Sequence, residues 1–242
     1  MSESAHIRSA FDADLERIRN LILEMGGLVE AQIVEAAEVL LARDSEGARK
    51  VVKGDKRIDA LDQEVDMEAV RVLALRQPVA ADLRAVVTVM KISSNLERIG
   101  DYAKNNAKRV AALAQSQDVG SAPNTIRRLS RAVQDMLGDA LDAYLRRDLD
   151  LARDVWRRDE EVDQIYNGLF RELLTHMMED ARNITPCMHL LFVAKNIERI
   201  GDHITSICEQ VIFTITGELP DEDRPKGDDA SYRPDPGAPG AA

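Results

Sequence analysis

The chain has 242 residues, of which 45% are hydrophobic, 31% charged and only 4% aromatic, and its formal net charge is −11. That charge argues against nucleic acid as a partner, because neutralising phosphates needs a cationic face. The absence of an 18-residue apolar run predicts no transmembrane helix. The first residues lack the basic and apolar blocks of a signal peptide, so none is expected.

Cys187 and Cys208 are the only cysteines, too few for a disulfide framework and suited to a reducing cytoplasm. The phosphate-cradling patterns GxxxxGK[ST] and GxGxxG do not occur, nor do GxSxG and HExxH. Few aromatics, with many Ala, Leu, Glu, Asp and Arg, predict an all-α protein.

Six long helical segments follow in order, near 8–42, 46–76, 80–115, 123–146, 150–178 and 186–216. Pro78, Pro123 and Pro186 mark boundaries, since a proline disfavours helix in the residue before it. Arg43-Asp44-Ser45 and Arg147-Asp148-Leu149 suit tight turns in which Asp or Ser caps the next helix. Connections this short make neighbouring helices antiparallel. Five further prolines and six acids crowd the last residues with almost nothing apolar, so 219–242 is expected to be a disordered tail.

The chain repeats itself. At an offset of 104, Arg43-Asp44 matches Arg147-Asp148, Asp55 matches Asp159 and Asp59 matches Asp163. At an offset of 101, the run from Asn95 to Asp101 (NLERIGD) matches that from Asn196 to Asp202 (NIERIGD). The reading is two tandem pseudo-repeated three-helix bundles, at 1–117 and 118–218, with a linker at Gln115–Pro123.

Advancing 100° per residue, Val89, Ile92, Leu96, Ile99, Gly100, Ala103, Ala107 and Val110 form one apolar stripe. Leu190, Val193, Ile197, Ile200, Gly201, Ile204, Cys208 and Val211 form its counterpart. A mid-helix glycine costs about 1 kcal/mol relative to alanine. Its presence at the same place in both stripes suggests a close helix approach.

Glu97/Asp101 and Glu198/Asp202 set two carboxylates one turn apart on the third helix of each half. Asp55/Asp59 and Asp159/Asp163 do the same on the second helix. On the helical wheel these pairs fall beside the core, half exposed. If the second and third helices are neighbours, each half brings two carboxylate pairs together. A hard cation would relieve their repulsion, with Mg, Mn or Fe as candidates. A solvated acidic helix face accounts for the same residues.

His203 points away from Asp202 and is expected at the surface. Arg76, Asp82 and Arg84 form a polar cluster at one turn, and Glu179, Asp180 and Arg182 at its counterpart. They read either as capping residues or as a surface for a partner.

With these residues the chain resembles the PhoU family of phosphate-uptake regulators. The resemblance rests on Met25-Gly26-Gly27, Arg76-Gln77-Pro78, Met177-Met178-Glu179-Asp180 and the duplicated LERIGD and IERIGD, and it extends to about residue 217. It implies two similar three-helix bundles and a cytoplasmic, non-enzymatic accessory protein that represses the phosphate-starvation response. It implies contacts with the ATPase subunit of the phosphate ABC transporter and with the membrane sensor histidine kinase.

The family's E(D)xxxD metal motif maps onto Asp55/Asp59, Glu97/Asp101, Asp159/Asp163 and Glu198/Asp202. The acidic flanks suit a monomer or a homodimer equally. A competing reading is a carboxylate-bridged metalloprotein with redox or hydrolytic activity. That class uses Glu-x-x-His pairs projecting into a bundle core, whereas the acids here fall beside the core.

Overall fold

A computed structural model describes residues 3–116 and 119–220. All but the first two residues of the expected tail lie outside them. The helices are α1 (Glu3–Ala42), α2 (Ser45–Gly54), α3 (Lys56–Arg76), α4 (Ala80–Lys108), α5 (Val110–Leu113), α6 (Ala122–Arg146), α7 (Leu149–Glu179) and α8 (Ile184–Thr216). A 3-10 turn, Ala181–Asn183, precedes α8. The described residues contain no strand, and the protein is all-helical.

The two expected tight turns share one construction. Arg43 and Arg147 adopt left-handed backbone, with φ of 54° and 51°, which costs a non-glycine residue about 1–2 kcal/mol. The next amide then turns back onto the ending helix, Asp44 N to Val39 O at 2.9 Å and Asp148 N to Ala143 O at 2.9 Å. Each Asp also caps the following helix. Asp44 Oδ1 accepts from Glu46 N and Gly47 N, and Asp148 Oδ1 accepts from Asp150 N and Leu151 N.

Two expected helices are interrupted. The segment 46–76 breaks at Asp55, whose carbonyl accepts from Ile58 N at 2.9 Å as well as from Asp59 N at 3.1 Å. Gly54 weakens the helix just before the break. Its counterpart in the unbroken α7 is Arg158. The segment 80–115 breaks at Arg109, whose amide bonds three residues back to Asn106 O at 3.1 Å.

Every residue of both apolar stripes is buried. The polar Thr88, Ser93, Asn106, Thr205 and Gln210 are buried beside them, because α4 and α8 pack along each other and bury more than one face. Four pairs fix the direction. Thr214 Oγ1 donates to Thr88 Oγ1 at 2.8 Å, His203 Nδ1 lies 2.8 Å from Asn95 Oδ1, Asn196 Nδ2 donates to Asn106 Oδ1 at 2.8 Å, and Arg109 Nη1 lies 3.2 Å from His189 Nδ1.

Numbers rise along α4 as they fall along α8, so the helices are antiparallel. The two duplicated ERIGD runs cross near the middle of this seam. One apolar core runs through both halves, from Phe11 to Ile212.

The antiparallel seam puts the α3–α4 turn at one end of the molecule and the α7–α8 turn at the other. Arg84 reaches the C-terminus of α8, where a β-carbon on Gly217 would meet its Nη1 at 3.2 Å. Arg109, at the far end of α4, touches the start of α8 through His189.

Candidate functional site

The expected carboxylate pairs do converge on the second and third helices of each half, but they are not uniformly half exposed. Asp55, Asp159 and Asp163 are 2%, 1% and 6% exposed. The wheel of their own helix could not show this, because the cover comes from the facing helix. The two stripe glycines lie where those aspartates approach. A β-carbon on Gly201 would meet Asp159 Oδ1 at 2.5 Å, and one on Gly100 would meet Gln32 Oε1 at 3.0 Å and Asp55 Oδ1 at 3.4 Å. The close approach expected at these glycines is therefore that of a buried carboxylate at Gly201 and of the Gln32 side-chain oxygen at Gly100.

In the first half, Asp55 accepts from Gln32 Nε2 of α1 at 3.0 Å. The Lys104 ammonium, on α4, donates to both Asp55 Oδ2 and Asp101 Oδ1. Burial would lower the pKa of this lysine, but the hydrogen bonds to Asp101 and Asp55 outweigh it and hold the pKa well above its ordinary value. Arg98 approaches Glu97 at 3.5 Å and Asp101 at 3.7 Å. Burial, then the Asp55 charge, raises the pKa of Asp59. Burial, then the Asp101 charge, raises that of Glu97. Asp62, which accepts from Ser93 Oγ at 2.7 Å, adds a further carboxylate along α3.

The second half has the same four acids with different company. Thr205 stands where Lys104 stands in the first half, and its hydroxyl donates to the Asp202 carbonyl at 2.8 Å. Arg199, the counterpart of Arg98, donates to Tyr102 Oη at 3.1 Å. Lys195 pairs with Glu198 Oε1 at 2.8 Å and lies over the Tyr166 ring. Burial raises the pKa of Glu198 despite that lysine, and the Asp202 charge adds to the rise. Glu198 Oε2 is buried without a hydrogen bond.

As metal sites the two clusters differ. In the first half an ammonium already stands between two of the four acids, which does not suit a metal shell. In the second half the donors are hard oxygens with a buried, unbonded carboxylate oxygen among them, which suits Mg or Mn. Among the described residues no three His, Cys, Asp or Glu side chains stand together in ligand geometry. A cation in the second half would have to draw Asp159, Asp163, Glu198 and Asp202 inward.

The turn clusters are not brought together; they occupy opposite ends. Arg76 Nε donates to Asp14 Oδ2 at 3.0 Å and so ties α3 to α1. Asp82 is exposed in the first turn of α4. Asp180 caps the 3-10 turn through Arg182 N at 2.9 Å, and it holds the Arg182 guanidinium with both oxygens. Glu179 Oε2 lies 3.2 Å from His176 Nδ1.

His203, expected at the surface, is half-buried in the α4–α8 seam against Asn95 and the Tyr102 ring. Sequence reasoning missed Gln32 and Lys104. Lys104 lies three residues after Asp101, a helical pairing distance that could have revealed it. Nothing local points to Gln32.

Among the described residues no helix is long and apolar enough to cross a membrane. The family described as PhoU domain matches twice, over residues 22–110 and 126–211. The phosphate-specific transport system accessory protein PhoU homolog of Caulobacter vibrioides (strain NA1000 / CB15N) is 47% identical over 223 residues, covering 92% of this chain and 97% of that protein. PhoU of Escherichia coli (strain K12), with the same accessory-protein description, is 41% identical over 213 residues, covering 88% of each.

The crystal structure of PhoU from Pseudomonas aeruginosa superposes with a TM-score of 0.83 at 40% identity, covering 86% of this chain and all of that one. The regulatory protein PhoU from Streptococcus pneumoniae gives 0.81 at 30% identity, covering 88% and all. Two matched domains, the duplicated carboxylate-bearing helices and this shared fold lead to one conclusion: the chain belongs to the PhoU family.

Proposed function

We propose that this protein is a non-enzymatic accessory of a phosphate-specific transport system that represses the phosphate-starvation response when phosphate is plentiful. It does so in the cytoplasm, by contacts with the transporter ATPase and with a membrane sensor histidine kinase. The observation that carries this reading is identity of 41–47% over most of the chain to proteins named for that accessory role. The residues support a scaffold: the patterns that cradle nucleotides or activate a serine are missing, and polar clusters sit at both ends of a long helical body.

Any divalent cation that takes part is held by the second half, through Asp159, Asp163, Glu198 and Asp202. Its charge would offset the repulsion among them.

The test is a clean deletion in cells grown with abundant phosphate, with the purified chain used as bait. The reading expects derepressed phosphate-scavenging genes and capture of the kinase and the ATPase. Normal repression in the deletion strain, with neither protein captured, rejects it.

A further inference from the structure

We propose that Lys104 is the built-in cation of the first half: its ammonium occupies the place between Asp55 and Asp101 and shuts that acidic cluster to divalent metal. The proposal stands on geometry and does not depend on the regulatory role.

The Lys104 side chain is 17% exposed and that of Asp55 is 3% exposed, and its ammonium contacts one oxygen of each aspartate. Hydrogen bonds between ionised partners are roughly twice as strong as neutral ones. The other oxygen of Asp55 is taken by Gln32, so both faces of this carboxylate are already satisfied. Arg98 adds a second positive group beside Asp101. A dication entering here would meet the partly buried Lys104 ammonium, whose repulsion is weakly screened, with the exposed Arg98 adding a solvent-screened one. It would also have to displace the ammonium and leave it without its partners.

The duplication supplies an internal control. The second half keeps the four acids, but it has Thr205 at the position of Lys104 and Met136 at the position of Gln32. Arg199 bonds Tyr102. The two halves thus differ: the first carries an ammonium between Asp55 and Asp101, whereas the second has Thr205 at that position and its lysine, Lys195, on Glu198. Lys104 also ties the Asp55 break between α2 and α3 to α4.

The experiment is a Mn²⁺ titration of the full, chelator-stripped chain, with free Mn²⁺ read by electron paramagnetic resonance. In the natural protein, Asp55→Asn and Asp101→Asn should leave the Mn²⁺ stoichiometry unchanged. Lys104→Thr, which copies the second half, should bind one more equivalent per chain. Adding Asp101→Asn to that variant should remove the extra equivalent. Circular dichroism verifies that each variant is folded. If Lys104→Thr does not fold, Lys104→Met keeps the apolar stem and takes its place.

Loss of an equivalent from the natural protein on Asp101→Asn alone would overturn the proposal. So would a folded Lys104 variant that gains none.

Discussion

Arg76 Nε donates to Asp14 Oδ2 at 3.0 Å while Arg71 Nη2 donates to Asp14 Oδ1 at 2.9 Å, so one carboxylate of α1 receives two guanidinium groups from α3. Asp14 is 8% exposed. Arg76, read from the sequence as a capping or partner residue, is in the first instance a clamp between α1 and the end of α3.

The clamp sets a pH dependence. Burial acts to raise the pKa of Asp14, but the hydrogen bonds from Arg76 and Arg71 outweigh it and hold the pKa below the usual carboxylate range. A depressed pKa contributes stability above the unfolded-state value, about 3.9 for aspartate, and that contribution is lost as pH falls through the folded value. Asp14→Asn should therefore lower Tm by a few degrees at pH 7. Melting curves of the two proteins should converge as pH falls below about 4. A difference that persists unchanged at low pH would mean the asparagine perturbs packing instead.

Glycine substitutions separate close approach from helix propensity. Gly168 is exposed in α7, and a β-carbon there meets nothing within 4 Å. Gly168→Ala should stabilise by about 0.5–1 kcal/mol. Gly201→Ala gains the same propensity but drives a methyl into Asp159 Oδ1 at 2.5 Å, and it should destabilise by about 1–3 kcal/mol. Urea denaturation of both variants checks the opposite signs.

The second-half acids should carry the metal response. Glu198→Gln with Asp202→Asn removes two anionic oxygens and should weaken Mn²⁺ binding at least tenfold by calorimetry. Without metal, stability should hold or rise by a few tenths of a kcal/mol, because like-charge repulsion is relieved. Undiminished affinity in the double variant would remove Glu198 and Asp202 from the metal shell.

The halves should not fold well apart. Ile99, Ala103, Ile197 and Ile200 are nearly fully buried, and α4 and α8 carry them along a common seam. Residues 1–116 expressed alone should bind a hydrophobic dye and melt without a sharp transition. Mixing with residues 119–220 should restore cooperativity. A sharp, dye-free transition for the isolated half would show that its own three helices suffice.

Much of this architecture was legible. The apolar stripes, the Asp44 and Asp148 caps and the repeat all write a local signal, since each depends on residues within a few positions of one another. The converging second and third helices follow from short turns. What was hidden depends on contacts between distant segments. The burial of Asp55 and Asp159 comes from facing helices, Gln32 reaches Asp55 from α1, and His203 is covered because α8 packs on α4. The breaks at Asp55 and Arg109 rest on single hydrogen-bond shifts of one residue, too small to disturb the hydrophobic period.

The antiparallel seam also has a mechanical meaning. At 1.5 Å per residue, the 29 residues of α4 hold the turn with Arg76, Asp82 and Arg84 about 40 Å from the turn with Glu179, Asp180 and Arg182. The α4–α8 seam thus ends in two related but non-identical tips facing opposite ways. A compact partner can grip one tip but not both. If the proposed partners bind at the tips, two can be held at once without competing for the same ground, at a separation set by a stiff spacer and not by a flexible tether. A lesion at one tip should then abolish one contact and leave the other at full strength, while losing whatever gain in effective concentration came from holding both.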